Sequence, residues 1–494
     1  MACVVPGFLP WRHIFAQADP PVPRRSSLTR NASQQALQHT PSRTTPYYAG
    51  LVNPNIYCFF NSVVQSLGSV HHLAMYLDEV VNMSDRWDVD TPVSDTLRSM
   101  LVALNTPQAK SQALVPRDLQ RALRSVPQSH GLYSLVSAQQ QQDAHELAVL
   151  LIHALDAELG RIQHTRAKRL QEGSQGLAAL VGPSHVQRGL PRTRLGQHGD
   201  HVTNIFHGTM AQRTACAECG YMEAVRFFAM SELDLVVPPT SSTLEQCLAA
   251  WTQLEQIDWT CHGCTLRATQ QRVVAEKARC DALPPSKRTA KQRQTLDAQL
   301  AQIRAALQGA WHEADMDPTI PWTRAQSSCA TKQVMLASPP PVLVIHLNRS
   351  SFSLGAFGAS KNHARVHFPD RLNVAPFMVG STLSAAAIRP LSTPDTTPVW
   401  YQLVAVVTHY GSHNYGHYVC FRKRPQGKWT RISDETVQVC TLDDVLAQNP
   451  YLLLYERMTS TDPTKPPTPC CARTCQRWDV TTVPDYQSFT NQAS

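Results

Sequence analysis

The stretch that decides the fold reads Gly50-Leu51-Val52-Asn53-Pro54-Asn55-Ile56-Tyr57-Cys58-Phe59-Phe60-Asn61-Ser62-Val63-Val64-Gln65-Ser66-Leu67. Its first half is rich in Gly, Asn and Pro, which indicates an irregular turn. After Cys58 the apolar residues recur with a period of 3.6, which predicts a helix. Cys58 then stands at a helix N-terminus, where unpaired N–H groups and the macrodipole stabilise a thiolate. The alternative for Cys58 is a small buried hydrophobe at the start of the helix.

The composition is that of a globular chain. Of its 494 residues 43% are hydrophobic and 17% charged, enough for two or three domain-sized units. The formal charge of +8 suits an acidic partner, a membrane surface or nucleic acid, but it is spread out and selects none of them. No run of 18 apolar residues occurs, so no membrane-spanning helix is predicted. The Pro-broken N-terminus does not resemble a secretory signal.

Cysteine usage favours a reducing compartment. The 14 cysteines lack the spacing of a secreted disulfide scaffold, and several fall in CxxC pairs. We therefore expect an intracellular, cytoplasmic protein with metal-bound and reduced thiols.

The pattern changes from helical to extended along the chain. Residues 58–160 are mostly helical in period, whereas from residue 204 onward the period shortens towards two. Helices followed by antiparallel strands predict the α+β class. Residues 1–46 and the tail 458–494 are expected to be disordered, because they are rich in Pro and polar residues and lack a sustained period.

Two segments of the central part are predicted to be surface insertions. The first, 161–203, is basic and polar with Gly and Pro interruptions. The second, 266–312, is rich in Gln, Ala, Lys and Arg and predicts a helical hairpin broken at Pro284-Pro285.

Two CxxC pairs predict a structural zinc site. They are Cys216/Cys219 and Cys261/Cys264, with 41 residues between them. Each pair supplies two thiolates from a tight knuckle, and four thiolates complete a tetrahedral zinc site with no open position for catalysis. The alternative is a pair of unrelated thiol turns or a redox motif.

A cysteine nucleophile needs a base, and the base needs a partner that orients it. His417 is the candidate base, since it opens a predicted strand directly behind Gly416. About a hairpin away, Ser433 and Asp434 are candidates to accept from its Nδ1–H, which would leave Nε2 facing Cys58.

These motifs resemble those of the ubiquitin-specific proteases, a family of cysteine deubiquitinases. The Cys box of the family, Gly-Leu-x-Asn-x-Gly-Asn-Thr-Cys-Tyr/Phe-x-Asn-Ser-x-x-Gln, is similar to residues 50–65. Its Gln-Gln-Asp-Ala-x-Glu-Phe helix is similar to residues 141–147, and its His-x-Gly-x(4)-Gly-His-Tyr box to residues 409–418. The double CxxC and the strand at 344–349 also match. The resemblance covers about residues 47–457.

The resemblance implies a papain-like fold with a helical thumb, a β-rich palm and zinc-ribbon fingers. It implies that Cys58 is the nucleophile, His417 the base, and Asn53 the donor to the oxyanion beside the Cys58 N–H. The alternative for Asn53 is a turn-forming residue.

The resemblance also implies a channel for the C-terminal tail of the substrate. The residues that would line it are Gln142, Asp143, Gly416 and Tyr418. For Gln142 and Asp143 the alternative is charge and polarity at a helix N-terminus.

The sequence departs from the family pattern at two places. Asn55, Ile56 and Tyr57 replace Gly, Asn and Thr, and Asn55 tolerates a positive φ as Gly does. Ser433 occupies the usual Asp or Asn position, with Asp434 next to it. Ser433 is the favoured partner of His417, so the chain resembles the branch with a Cys-His-Ser triad. That branch includes a mitochondrial outer-membrane type, so association with the mitochondrial surface stays open, although no anchor is predicted.

The resemblance therefore predicts hydrolysis of the isopeptide or peptide bond after the C-terminal glycine of ubiquitin, through a Cys thioester. The expected cofactor is structural Zn²⁺, and the expected partners are ubiquitin and ubiquitinated proteins, bound by a monomer. The alternative is a catalytically inactive ubiquitin-binding scaffold of the same fold. A zinc-ribbon nucleic-acid binder is disfavoured, because aromatic and basic residues do not alternate around the CxxC knuckles.

Overall fold

The computed structural model describes most of the predicted folded part of the chain. The described residues are 47–54, 56–126, 133, 135, 142–181, 202–309, 320–352, 359–412 and 415–458. The predicted disordered segments, 1–46 and all but the first residue of 458–494, lie outside them, as do Asn55 and Gln141.

The helices of the described residues are α1 Cys58–Leu67, α2 His71–Trp87, α3 Pro92–Asn105, α4 Arg117–Ser125, α5 Ala144–Val181, α6 Leu244–Trp251, α7 His262–Asp281, α8 Lys287–Leu307 and α9 Leu442–Leu446. A 3₁₀ turn spans Ala375–Phe377. No helix in the described part of the chain is long and apolar enough to cross a bilayer.

The strands are β1 Gly50–Leu51, β2 Ala113–Leu114, β3 Gly208–Cys216, β4 Arg226–Met230, β5 Leu233–Val236, β6 Ser242–Thr243, β7 Glu255–Thr260, β8 Gln326–Ser338, β9 Val342–Asn348, β10 Ser350–Phe352, β11 Ala359–Lys361, β12 Val366–His367, β13 Arg371–Asn373, β14 Thr382–Leu383, β15 Ser392–Thr393, β16 Trp400–Gly411, β17 Gly416–Lys423, β18 Trp429–Ser433, β19 Thr436–Cys440 and β20 Leu452–Arg457.

The predicted order of helices followed by strands is confirmed. Helices α1 to α5 precede the long strands, and their apolar faces form one core with β16, β17 and β20. Helix α1 begins at Cys58, as its periodicity predicts, and every one of its residues is buried. Helix α5 continues through the first part of the predicted 161–203 insertion, and residues 182–201 lie outside the described chain.

The large sheet has the strand order β19-β18-β17-β16-β20-β9-β5, with β13 also paired to β16. Its neighbours are antiparallel except for β5 and β9. Strand β17 lies inside this sheet, and α1 packs against it.

A second sheet carries the CxxC pairs. Its order is β4-β3-β8-β7, and the helical hairpin α7–α8 follows β7 directly, with Pro284 and Pro285 between its two helices. The hairpin has a small core of its own, which includes Val273, Leu300 and Ile303. We call this sheet and hairpin the fingers.

Two buried arginines join the helices to the large sheet, one within β17 and one directly after it. Arg422 donates to Gln65 O at 2.9 Å and to Leu104 O at 3.1 Å, near the ends of α1 and α3. Arg424 donates to the same Leu104 O at 3.0 Å. Unpaired carbonyls at helix C-termini carry partial negative charge, so guanidinium groups stabilise them.

Candidate active site

Cys58 lies at the junction of the turn and α1, with 4% of its surface exposed. The turn before it is held by the Asn53 side chain, whose Oδ1 accepts from the Tyr57 N–H at 2.9 Å. Leu51 N donates to Asp434 O at 2.9 Å, and a Cβ on Gly50 would collide with Glu435 O. The glycine of the Cys box is therefore needed because the β18–β19 turn passes against it.

His417 is the second residue of β17, opposite Tyr410 of β16. Because α1 packs against β17, the helix that begins at Cys58 and the strand that carries His417 belong to one interface. Cys58 and Tyr418, the residue after His417, are members of the same hydrophobic core. Burial raises the pKa of Tyr418, and the nearby Cys58 adds to this effect.

Ser433 is the direct partner of His417. The His417 Nε2 and Ser433 Oγ lie 2.8 Å apart, whereas the nearest Asp434 carboxylate oxygen is 3.8 Å from Nε2. The prediction that Nδ1 would contact this partner and Nε2 would face Cys58 is wrong, since Nε2 makes the contact. Because Cys420 pairs with Ile432, Ser433 stands diagonally from His417, and only the far nitrogen of the ring reaches it.

Asp434 binds the segments on both sides of Cys58, the turn before it and helix α1 after it. Its Oδ2 accepts from Asn53 Nδ2 at 2.9 Å, and its Oδ1 accepts from Asn61 Nδ2 at 2.8 Å. The backbone of Asp434 is left-handed, with φ of 48°, and 14% of its side chain is exposed. This carboxylate therefore joins the β18–β19 turn to both the turn and the helix around Cys58.

Asn61 has a contact that the sequence reasoning did not assign. Its signal was available, because Asn61 is a polar residue three positions after Cys58, at the start of a helix whose residues 59, 60, 63 and 64 are apolar. Asn53, predicted to face an oxyanion, is placed with its amide on Asp434 and its carbonyl on Tyr57.

Asp143 caps α5 and also contacts the large sheet. Its Oδ1 accepts from the His145 N–H at 2.6 Å, and its Oδ2 accepts from the Tyr451 hydroxyl at 2.6 Å. The alternative role for Asp143, at a helix N-terminus, thus accounts for the contact of Oδ1 but not for that of Oδ2. Gln142 precedes it directly and is partly buried.

Gly416 and Tyr418 flank His417, and both lie against the ring of His409, the first residue of the His box. The His409 ring stacks on Tyr418, with ring centres 4.4 Å apart, and Tyr451 packs against the Tyr418 ring edge-on. Tyr451 was missed as a site residue, because its contacts with Asp143 and Tyr418 span large distances in sequence.

The four cysteines of the CxxC pairs come together at the fingers. Their sulfur atoms all lie within 4.8 Å of one another. Cys216 and Cys264 are 3.7 Å apart, and Cys219 and Cys261 are 3.4 Å apart. A tetrahedral zinc with Zn–S bonds of 2.3 Å requires sulfurs about 3.8 Å apart, so the cluster fits such an ion. Cys216 Sγ donates to the Ser327 hydroxyl oxygen at 3.2 Å.

Comparison with known proteins agrees with this geometry. The model of the family "Ubiquitin carboxyl-terminal hydrolase" matches residues 49–455. Ubiquitin carboxyl-terminal hydrolase 16 of Emericella nidulans is 27% identical over 417 residues, with 76% of this chain and 62% of that protein covered. The chain thus spans less than two thirds of this fungal relative. Ubiquitin carboxyl-terminal hydrolase 30 of Xenopus tropicalis is 25% identical, with 83% of this chain and 81% of that protein covered.

The fold has solved counterparts. A structure of the SAGA Ubp8/Sgf11/Sus1/Sgf73 DUB module bound to ubiquitin aldehyde superposes with a TM-score of 0.50 at 18% identity, over 83% of this chain and 70% of that chain. The predicted papain-like α+β fold is confirmed by this likeness. Since the family model spans most of the chain, the chain belongs to the ubiquitin carboxyl-terminal hydrolase family, the thiol-dependent deubiquitinases.

Proposed function

We propose that this chain hydrolyses the isopeptide or peptide bond after the C-terminal glycine of ubiquitin, with Cys58 as nucleophile. The observation that carries the proposal is the contact of His417 with Ser433 at 2.8 Å, on a strand that packs against the helix starting at Cys58. The His417 side chain is 42% exposed, so a substrate can reach it. Family membership supplies the substrate class.

In the proposed reaction Nδ1 of His417 takes the proton of the Cys58 thiol, since Nε2 is engaged by Ser433. The thiolate attacks the glycine carbonyl carbon, and the resulting oxyanion accepts from the Cys58 N–H and the Asn53 amide. The C–N bond breaks as the amine takes the proton from Nδ1, which leaves a thioester. Water, deprotonated by His417, then attacks the thioester carbonyl and releases the ubiquitin carboxylate and the thiol.

Ser433 and Asp434 have different roles in this proposal. The Nε2–H of His417 donates to Ser433 Oγ, which orients the ring so that Nδ1 faces the thiol. A hydroxyl stabilises an imidazolium less than a carboxylate does. Asp434, 3.8 Å from Nε2, adds its negative charge, while its hydrogen bonds hold Asn53 beside the nucleophile.

The residues around Tyr418 support a narrow tail channel. Gly416 has no side chain, Tyr418 and Tyr451 supply apolar walls, and Asp143 brings a carboxylate to the same place. A tail ending in two glycines is thin enough for such a channel, which would provide the specificity. The roles of Gln142, Asp143, Gly416 and Tyr418 in binding it stay predictions.

A ubiquitin derivative with a C-terminal electrophile tests the proposal directly. We expect wild-type protein to form a covalent adduct and Cys58→Ala to form none, with both variants equally folded by thermal denaturation. Cys420→Ala, which removes a buried cysteine from the middle of β17, is the matched control and should still react. Folded wild type without an adduct on Cys58 would overturn the proposal, and ubiquitin binding without turnover would identify a scaffold. A panel of di-ubiquitins then shows which linkages are cut.

We also propose that the four-cysteine cluster holds a structural Zn²⁺ ion. The sulfur spacing supports it, and four thiolates leave no position for a catalytic water. All ten cysteines in the described part of the chain are free thiols. The cytoplasmic location, the mitochondrial association and the monomeric state stay predictions.

A further inference from the structure

Lys361 connects a remote strand to the hairpin that carries His417. It is the last residue of β11, and its ammonium lies against the end of β16. The Nζ donates to His409 Nδ1 at 3.0 Å, to His409 O at 2.7 Å and to Gly411 O at 3.0 Å. An ammonium has three donors and no acceptor, so these three contacts use all of its hydrogens.

The contact with Lys361 assigns the tautomer of His409. Because the ammonium can only donate, Nδ1 of His409 must accept, and the neutral ring therefore carries its proton on Nε2. The ring so fixed touches both neighbours of His417. It stacks on Tyr418 with an angle of 24° between ring planes, and its Nε2 fills the space that a Cβ on Gly416 would occupy.

We propose that Lys361 is a positioning residue for His417. Its ammonium fixes the His409 ring and the end of β16, and that ring holds the backbone on both sides of the proposed base. The proposal rests on the proposed role of His417 in proton transfer.

The electrostatic environment of Lys361 indicates that a lysine stands at this position for function rather than for stability. Burial lowers the pKa of Lys361, and the positive charge of nearby Arg349 lowers it further. Among the described residues no carboxylate is paired with Lys361, so its charge is stabilised only by the three neutral acceptors. A half-buried cation next to a second cation is unfavourable for folding, and an apolar side chain would fill the same space without that penalty.

The test compares Lys361→Met with Lys361→Arg and with Lys423→Met, which removes a partly buried lysine at the other end of β17. With a fluorogenic ubiquitin substrate we expect Lys361→Met to lower kcat about tenfold and to change KM less than about threefold. Lys361→Arg should recover part of kcat, because a guanidinium also donates to several acceptors. Lys423→Met should match the wild type. Tm is measured for all variants.

Two readouts do not need ubiquitin. Imidazole ¹⁵N shifts should show His409 protonated on Nε2 in the wild type and a mixture of tautomers in Lys361→Met. The pH profile of Cys58 alkylation by iodoacetamide should shift in Lys361→Met and not in Lys423→Met.

Three results would overturn the positioning role. They are a kcat of Lys361→Met within twofold of wild type, a His409 proton on Nδ1, or a loss of activity that follows Tm and is not recovered by Lys361→Arg. If the wild type turns over no ubiquitin substrate, the proposed function fails, and the alkylation profile still decides whether Lys361 acts on His417.

Discussion

At the scale of single residues, Ser433 and Asp434 make separate contacts that a single carboxylate could make in their place. Ser433 contacts the imidazole of His417, whereas the two carboxylate oxygens of Asp434 accept hydrogen bonds from Asn53 and Asn61. The sequence favoured Ser433 as the direct partner of His417, and the structure places it there. The roles of both in catalysis stay predictions, which substitution can separate.

We expect Ser433→Ala to lower kcat by a factor on the order of tens, because His417 loses the acceptor that orients its ring. Tm should stay near that of the wild type, since Ser433 is only partly buried. Steady-state kinetics with a fluorogenic ubiquitin substrate measure this. Ser433→Asp is the matched control and should keep activity, because a carboxylate accepts the same hydrogen bond more strongly. Full activity in Ser433→Ala would give the orienting role to Asp434.

At the scale of elements, α1 and α3 are held against β17 by Arg422. Its guanidinium donates to backbone carbonyls near the ends of both helices and to Asn105 Oδ1 at 2.7 Å. The Arg422 side chain is fully buried. The carbonyls would be left without these donors if the arginine were removed.

We therefore expect Arg422→Met to lower the free energy of unfolding by about 3 kcal/mol, measured by urea denaturation. Arg431→Met, in the adjacent strand β18 and partly exposed, should change it by less than about 0.5 kcal/mol. Equal effects of the two substitutions would show that Arg422 does not hold the helices.

Helix α5 is tied to the large sheet by a histidine pair. His145 Nε2 lies 2.8 Å from Glu232, and its ring stacks on His346 of β9 at 3.8 Å between ring centres. Burial opposes the charge on His145, but the hydrogen bond and charge of Glu232, with Asp143 and Asp234 nearby, outweigh it and raise the pKa of His145.

A raised pKa in the folded state means that protonated His145 stabilises the fold. This contribution is complete below the ordinary value of 6.5 and is lost as pH rises through the higher folded value. We expect the wild type to lose part of its stability between pH 6 and pH 8, and His145→Gln to lose less over the same range. Denaturation curves at the two pH values measure this. Parallel pH dependence in both proteins would contradict the assignment.

At the scale of the whole molecule, the cysteine cluster and the proposed catalytic residues occupy different sheets. The cluster lies in the fingers, with β3 and β7, whereas His417 and Ser433 lie in the large sheet. Loss of the proposed zinc ion should therefore act on the fingers first.

We expect one zinc per chain by metal analysis, and a lower Tm after treatment with a strong chelator. In the chelated protein KM for ubiquitin substrates should rise more than kcat falls, because the proposed reacting groups are in the other sheet. Cys219→Ser should reproduce both effects. Metal-free protein with unchanged Tm would contradict a structural zinc site.

Much of the local structure follows from the sequence alone. The period of residues 59–67 and the turn residues before Cys58 determined where α1 begins, since these are short-range preferences of the backbone. The CxxC spacings determined the two knuckles for the same reason. The family motifs could therefore be read directly from residues 50–65 and 409–418.

Only the tertiary structure decided how distant residues divide their contacts. The use of Nε2 of His417, the hold of Asp434 on Asn53 and Asn61, and the reach of Lys361 to His409 all depend on strand register and ring orientation. The free energies of a side chain with one or another nearby hydrogen-bond partner differ by only a few kcal/mol. The packing of segments that are hundreds of residues apart determines which partner is bonded. Local sequence patterns therefore do not predict it.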